Sequence, residues 1–303
     1  MQTKLPTVTV AVSAYNEEQN ILNFINSVLT QREEGFVLEN ILIISDGSND
    51  NTVTFARSLN LRKIRVLAYK NRKGKSVRLN HIYKCLKTDI LIQSDSDVIL
   101  GNHYVIRDMV KTLIRDKKTV MCGGNPIPVT ATTFIERAIN HAAELYIAFR
   151  KNVRKGNNIF SADGRILGYK KELIKQIIIP ATMIANDMYT YFCCLSLGYN
   201  YKYVSTATVY YRSPQTLRDH ISQNSRFRAA PIRLKKYFSA ALVNKELSIP
   251  FSLFTISAAR HFIKNPFLSV VIFSINLYTK VNAFALESRM IAKWDVAYST
   301  KQI

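Results

Sequence analysis

The sequence predicts an α/β fold with a mostly parallel central sheet flanked by helices. Three observations carry that expectation. Short apolar, β-branched runs alternate with stretches of helical spacing through the N-terminal half, at intervals of roughly 30 residues. Each run ends in a polar cluster, and in a parallel sheet such clusters gather outside the carboxyl ends of the strands. Beyond about residue 230 the chain turns to apolar and basic segments of helical period.

Val8–Ser13 reads as the first strand, followed by Ala14-Tyr15-Asn16-Glu17-Glu18. Asn16 is expected to cap a helix whose apolar face carries Ile21, Phe24, Ile25, Val28 and Leu29, with acidic residues in its first turn. Ile41–Ile44 is a second strand, running into the turn Ser45-Asp46-Gly47-Ser48-Asn49-Asp50-Asn51-Thr52 and a helix through Ala56 and Leu59. Ile64–Ala68 is a third, followed by Asn71-Arg72-Lys73-Gly74-Lys75-Ser76 and a helix that turns Val77, Leu79, Ile82 and Leu86 inward. Ile90-Leu91-Ile92 begins a fourth strand that ends in Gln93-Ser94-Asp95-Ser96-Asp97. Residues two apart on extended chain point the same way, so Asp95 and Asp97 share a face. Two hard oxygen donors there suit Mg²⁺ or Mn²⁺ holding substrate phosphates, although Asp and Ser are also ordinary turn residues. Likewise Asp46 serves either as a turn cap or as a hydrogen-bonding partner for a base. Lys75 with Arg72, Lys73 and Arg78 forms either a solvated helix face or a phosphate site.

Composition narrows the partner. The 303 residues are 48% hydrophobic, enough for a large core, and the net charge of +21 points to an anionic partner: nucleic acid, anionic lipid or a phosphorylated substrate. The sequence opens with no signal-peptide pattern, and Cys85, Cys122, Cys193 and Cys194 lack metal-site spacing, so reduced thiols in a cytosolic setting are expected.

These ordered motifs, from Ala14-Tyr15-Asn16-Glu17 through Asp46-Gly47-Ser48, Gly74-Lys75 and Asp95-Ser96-Asp97-Val98, resemble those of family 2 inverting glycosyltransferases with the GT-A fold, over about Val8 to Phe227. The resemblance implies that Asp46 contacts the base of a nucleotide sugar, usually uridine, that Asp95 lies near the ribose, and that Asp97 ligates the divalent metal. Ser45 departs from the family, many members of which carry a second Asp there.

Further along, Thr119–Gly124 reads as a strand broken by Asn125-Pro126, and a long helix runs through Ile135 to Phe149 into the basic run Arg150–Lys155. Two strand-like pieces flank Gly164. The segment is similar to the family's acceptor frame, which implicates Asp163 and Arg165, although these two could simply pair with each other. Asp187, ahead of a helix ending at Gly198, occupies the family's catalytic-base position, with Asn186 replacing the usual acidic neighbour. Tyr201–Val204 and Ala207–Tyr211 read as a strand pair. Gln223-Asn224-Ser225-Arg226-Phe227 is similar to the Gln-x-x-Arg-Trp motif of cellulose- and hyaluronan-synthase-like members, with Phe227 in place of Trp. Phe keeps the π face and loses the indole N–H.

The expected nucleotide-sugar site is therefore Ser13, Tyr15, Glu17, Asp46, Lys75, Asp95, Gln223 and Arg226; the acceptor side is Phe227, Asp163 and Arg165; the metal ligands are Asp97 and Asp95; the general base is Asp187. Residues 1–230 form the expected catalytic domain and 231–303 a helical, membrane-associating segment. There Phe267–Thr279 suits an interfacial helix, a marginal span or a buried helix. The expected reaction is transfer of a sugar from a nucleotide-diphosphate donor, by preference a UDP-sugar, to a hydroxyl of a lipid-linked or polysaccharide acceptor at the cytoplasmic face of a membrane. A nucleotidyltransferase or a basic nucleic-acid-binding protein are the alternatives. No nucleic-acid partner is expected, since no recognised nucleic-acid-binding module occurs.

Overall fold

A computed structural model of the chain describes residues 4–286 and 298–301. Its first part alternates strand and helix: β1 (Thr7–Ala14), α1 (Ile21–Leu29), β2 (Val37–Asp46), α2 (Thr52–Ser58), β3 (Ile64–Tyr69), α3 (Lys75–Cys85) and β4 (Ile90–Ser94). The remainder is β5 (Val98–Leu100), α4 (Val105–Arg115), β6 (Thr119–Pro128), α5 (Phe134–Asn152), β7 (Ile166–Lys170), α6 (Lys171–Ile174), α7 (Asn186–Ser196), β8 (Asn200–Tyr211), α8 (Leu217–Leu234), α9 (Ala240–Leu247), α10 (Phe251–Lys264) and α11 (Pro266–Leu286).

The eight strands form one sheet in the order β3-β2-β1-β4-β7-β6-β8-β5. β1 pairs in parallel with β2 and β4, and β2 with β3, while β7 runs antiparallel between β4 and β6. The sheet divides two cores by side-chain alternation. Val8, Val10, Val12, Ile41, Ile43, Ile90 and Ile92 face α1 and α4, whereas Ala11, Leu42, Ile44 and Leu91 face α3 and α7. Burial on both faces is why these runs read as continuously apolar.

Several expectations shift. Asn16 does not cap α1: its φ is +53°, the helix begins five residues later behind Asn20, and its first turn holds no acidic residue. Glu17 and Glu18 instead join the Asp46–Thr52 turn. The Glu17 N–H donates to Thr52 Oγ1 at 2.7 Å, and the Glu18 carboxylate accepts the Asn51 N–H at 2.9 Å. Asn125-Pro126 does not end β6, which shifts register between Gly123 and Asn125 and continues along β8 to Pro128. A register shift tolerates proline because the missing N–H is not needed there. Of the two strand-like pieces expected around Gly164, only the second is a strand, β7; Ile159–Ser161 ahead of it is a 3₁₀ turn. Tyr201–Val204 and Ala207–Tyr211 are one strand, β8, rather than a pair.

Beyond α8, Glu246 on α9 is anchored by the Tyr191 hydroxyl at 2.6 Å and by Arg154 at 2.5 Å. α10 packs on α5, where His141 and His261 stack with ring centroids 3.5 Å apart, and Lys264 pairs with Glu144 at 2.7 Å. α11 packs on α8 and α5. No helix of the described residues is long and apolar enough to cross a membrane, so the marginal-span alternative for Phe267–Thr279 is not met. α10 buries none of its side chains, and the exposed large residues of the α10–α11 hairpin include Phe251, Ile263, Phe267 and Phe273.

Candidate active site

The polar clusters after β1, β2, β3 and β4 do meet in one cleft. Ser13, Tyr15, Glu17, Asp46, Lys75, Asp95, Asp97, Asp163, Arg165, Asp187, Gln223, Arg226 and Phe227 all line it. Every site residue expected from the sequence is therefore brought to one place. Arg72, Gly74, Gln93, Gly164, Asn186, Thr300 and Lys301 line it as well.

Asp46, the last residue of β2, is 3% exposed and organises the next loop. Its Oδ1 accepts the Lys73 N–H at 2.8 Å and Arg78 Nε at 2.5 Å, and its Oδ2 accepts the Gly74 N–H at 2.8 Å. A carboxylate has about four acceptor positions, and three are filled from within the protein. Asp46 is thus the post on which the 71–74 loop stands. Removing one partner of such a buried ion pair costs roughly 3–5 kcal/mol. Gly47 beside it has φ +79°, and a Cβ there would lie 2.8 Å from the Arg72 backbone nitrogen, so the turn and the loop meet only at a glycine. The Arg72 guanidinium lies 4.0 Å over the Tyr15 ring and closes this end of the cleft.

Deeper in, Lys75 at the start of α3 forms an ion pair with Asp95. Burial alone would depress its ammonium, but Asp95, Asp187 and Asp97 together hold it above its ordinary value. Asp97 has no hydrogen-bond partner among the described residues, and burial, then Asp95, pushes its carboxyl up. One oxygen of Asp95 is taken by Lys75. An unsatisfied carboxylate beside a half-satisfied one, in a cleft open to a ligand, is a hard oxygen donor set that fits Mg²⁺ or Mn²⁺.

Asp187 sits in the first turn of α7. Its Oδ1 accepts the Met188 N–H at 2.8 Å and its Oδ2 the Gly164 N–H at 3.2 Å. Burial, and then Asp163, raises its carboxyl above the usual range, while Lys75 and the two N–H donors oppose the rise. Raised basicity with a fixed orientation is what proton abstraction from a hydroxyl requires. Asn186 accepts the Ser76 hydroxyl on its Oδ1 at 2.8 Å and so ties α7 to α3. Asp163 and Arg165 pair at 2.9 Å, Arg165 also stacks 3.6 Å over Tyr211, and Arg150 reaches Asp163 from behind at 3.5 Å. Opposite them, α8 presents Gln223, Arg226 and the 45%-exposed Phe227.

Glu17 is pushed up to about 7 by burial and by Asp97, against the pull of Lys301. Lys301 Nζ donates to Glu17 Oε1 at 2.7 Å, to the Tyr15 carbonyl at 2.8 Å, and to the Asn16 carbonyl. Nothing in the local sequence of Lys301 marks it, since its partners lie 284–286 residues away.

Comparison with known proteins identifies the family and the fold. The sequence profile described as Glycosyl transferase family 2 matches residues 9–178, more than half of the chain. No curated protein matches the sequence. Among solved structures, the chain is similar to a Pyrobaculum calidifontis mannosyltransferase in complex with GDP-Man and Mn²⁺, with TM-score 0.59 and 18% identity over 98% of this chain and 78% of that one. It is similar to Mycobacterium tuberculosis glucosyl-3-phosphoglycerate synthase with Mn²⁺, UDP and phosphoglyceric acid, with TM-score 0.55 and 15% identity over 76% and 78%. It is also similar to residues 1–349 of S. aureus TarS in complex with UDP-GlcNAc, with TM-score 0.54 and 15% identity over 94% and 81%. At these identities the likeness is one of fold, and the fold is GT-A.

Proposed function

Because the chain belongs to glycosyl transferase family 2, we propose that the cleft binds a nucleotide-diphosphate sugar and transfers its sugar to an acceptor hydroxyl with inversion. The observation that carries this reading is that one cleft holds Asp187 together with Lys75, Asp95 and Asp97. A base and cation-binding groups in the same cleft let a hydroxyl lose its proton as it attacks while the departing diphosphate is neutralised. That geometry needs no covalent intermediate.

In this reading the base of the nucleotide rests against the Tyr15 and Arg72 wall, on the loop that Asp46 holds. Asp97, with Asp95, would hold Mg²⁺ or Mn²⁺, which supplies charge neutralisation to the diphosphate when bound. Lys75 and Arg226 contribute fixed positive charge to the same group, and Gln223 a neutral hydrogen bond. Asp187 Oδ atoms take the proton from the acceptor hydroxyl, and the Gly164 N–H keeps that carboxylate aimed into the cleft. Phe227 offers an apolar face to the acceptor, as in the synthase-like Gln-x-x-Arg-Trp motif, and Arg165, fixed by Asp163, lines the path to it. Similar structures hold GDP-Man, UDP and UDP-GlcNAc; a UDP-sugar is the donor we favour.

The acceptor we propose is lipid-linked or polysaccharide, met at a membrane surface. Support comes from the α10–α11 hairpin, whose exposed Phe251, Phe254, Ile263, Phe267, Phe273 and Tyr278 exceed the scatter normal on a soluble surface. Arg260, Lys264 and Lys280, exposed among them, suit anionic headgroups. Within the expected 231–303 segment, α10 and α11 would then form the membrane-contacting part, while α8 runs through position 230 to Leu234 without interruption and Thr300 and Lys301 line the cleft.

The test is a panel of nucleotide sugars with Mn²⁺ and a membrane extract, following release of nucleoside diphosphate. Turnover of at least one donor, with product of inverted anomeric configuration, is the expected outcome; retained configuration, or no binding of any nucleotide sugar, contradicts the reading.

A further inference from the structure

We propose that the 298–301 segment is a working wall of the donor pocket and that Lys301 is a positioning residue for the nucleotide sugar. The proposal rests on the transferase reading above, and nothing in the motifs of the catalytic half anticipates it.

Lys301 is 8% exposed. An ammonium carries three N–H donors, and here three acceptors meet it: the Tyr15 carbonyl at 2.8 Å, the Asn16 carbonyl, and Glu17 Oε1 at 2.7 Å. A charge withdrawn from water is sustained only when its hydrogen bonds are complete, and this one is matched donor for donor. The acceptors are informative. The β1–β2 ladder ends at Ala14 opposite Ser45, so the Tyr15 and Asn16 carbonyls lie beyond it. Asn16 is also held at φ +53°, a left-handed conformation that a non-glycine residue keeps only when its surroundings enforce it. Lys301 is one of the groups that enforce it, together with Ser48 and the Asn49 N–H.

The neighbouring residue ties the other side. Ser299 donates its N–H to Asp219 Oδ2 at 3.1 Å and its hydroxyl to the same oxygen at 2.5 Å, and it accepts the Gln215 N–H at 3.1 Å. Asp219 lies in the first turn of α8, the helix that carries Gln223 and Arg226. The segment therefore straps the first turn of α8 to the β1–α1 turn, and at its Lys301 end Thr300 and Lys301 line the cleft with Tyr15 and Glu17. Without Lys301 the turn that carries Tyr15 loses its anchor and Glu17 faces Asp97 with no cation between them. Asp187 and Lys75, on α7 and α3, keep their own partners. The loss falls on donor binding rather than on the chemical step.

The experiment compares the full chain with Lys301→Met, using UDP-glucose, UDP-GlcNAc and GDP-mannose, each with Mn²⁺. Donor KM is expected to rise about tenfold or more, with kcat within about threefold. Lys301→Arg, which keeps the charge and several donors, recovers part of the loss. Should Lys301→Met fail to fold, Ser299→Ala loosens the strap while leaving the Lys301–Glu17 pair in place, and raises donor KM in the same direction by a smaller factor. Unchanged KM in a folded Lys301→Met, or a fall in kcat at constant KM, overturns the proposal. If the unmodified chain binds none of the donors, the transferase reading falls and takes this inference with it. If it binds one and Lys301→Met binds that donor equally well, only the role of Lys301 is lost.

Discussion

The two carboxylates after β4 look alike in sequence and differ in surroundings. Asp95 spends one oxygen on Lys75, whereas Asp97 has no hydrogen-bond partner among the described residues and is raised by burial and by Asp95. Their roles should separate accordingly. Asp97→Asn is expected to abolish the response of activity to Mn²⁺, while Asp95→Asn mainly raises donor KM; a titration of activity against Mn²⁺ for both variants decides it, and equal loss of the metal response would undo the division. At this scale much was legible beforehand. Asp46, Lys75, Asp95 and Asp97 were expected in one site because the polar clusters that follow the strands of a parallel sheet converge, whereas Asp187 and Arg226, on α7 and α8, were expected there only from the family resemblance. What was not legible is who satisfies whom. The three donors on Asp46 arrive from residues 27, 28 and 32 positions away, and Asn16, expected as a helix cap, turned out to serve the 45–52 turn. Lys301 lay outside any readable pattern for the same reason: its role exists only through contacts nearly the whole chain apart.

Among the elements, α10 is held least firmly, and its hold is titratable. It buries none of its side chains, and its attachment to α5 includes the His141–His261 stack, the Lys264–Glu144 pair and the Phe254–Phe149 stack, of which the first titrates. Burial depresses both imidazoles below their ordinary value, and His141 lowers His261 further, while Glu144 pulls both the other way. The folded state thus favours the neutral rings, so this contribution is fully present above the ordinary imidazole pKa and is lost as pH falls below it and through the lowered folded value. Backbone amides of α10 should exchange with solvent faster at about pH 5.5 than at about pH 7.5, after correction for intrinsic rates. Equal protection at both would show that the stack does not hold the helix. The errors in element assignment have physical causes as well. Asn125-Pro126 stays in β6 because a register shift removes the need for the proline N–H, and Tyr201–Tyr211 stays one strand because it spans from β6 to β5.

For the whole molecule, the mixed sheet gathers a donor cleft along its strand ends, and the α10–α11 hairpin adds an apolar, basic surface. If that surface is the membrane-contacting part, the chain should sediment with vesicles rich in anionic lipid and much less with neutral ones. Phe251→Ser combined with Ile263→Ser should reduce that binding severalfold while leaving nucleotide binding intact. Vesicle binding that is absent, or indifferent to these substitutions, would separate the hairpin from any lipid role.

The central claim is that Asp187 acts as the base of a glycosyl transfer. It is tested most directly by measuring donor binding and turnover together for Asp187→Asn, in a donor and acceptor pair that the unmodified chain uses. The substitution keeps the shape, removes the basic carboxylate, and leaves one oxygen to accept from either the Met188 or the Gly164 N–H. The account predicts donor affinity within about threefold of the parent and kcat lower by about a thousandfold or more. The parent's activity should fall on the acid side at a pH higher than an unperturbed Asp would give, because burial and Asp163 raise the Asp187 carboxyl. An Asp187→Asn protein that turns over at near the parent rate, with the same acid limb, would contradict the account.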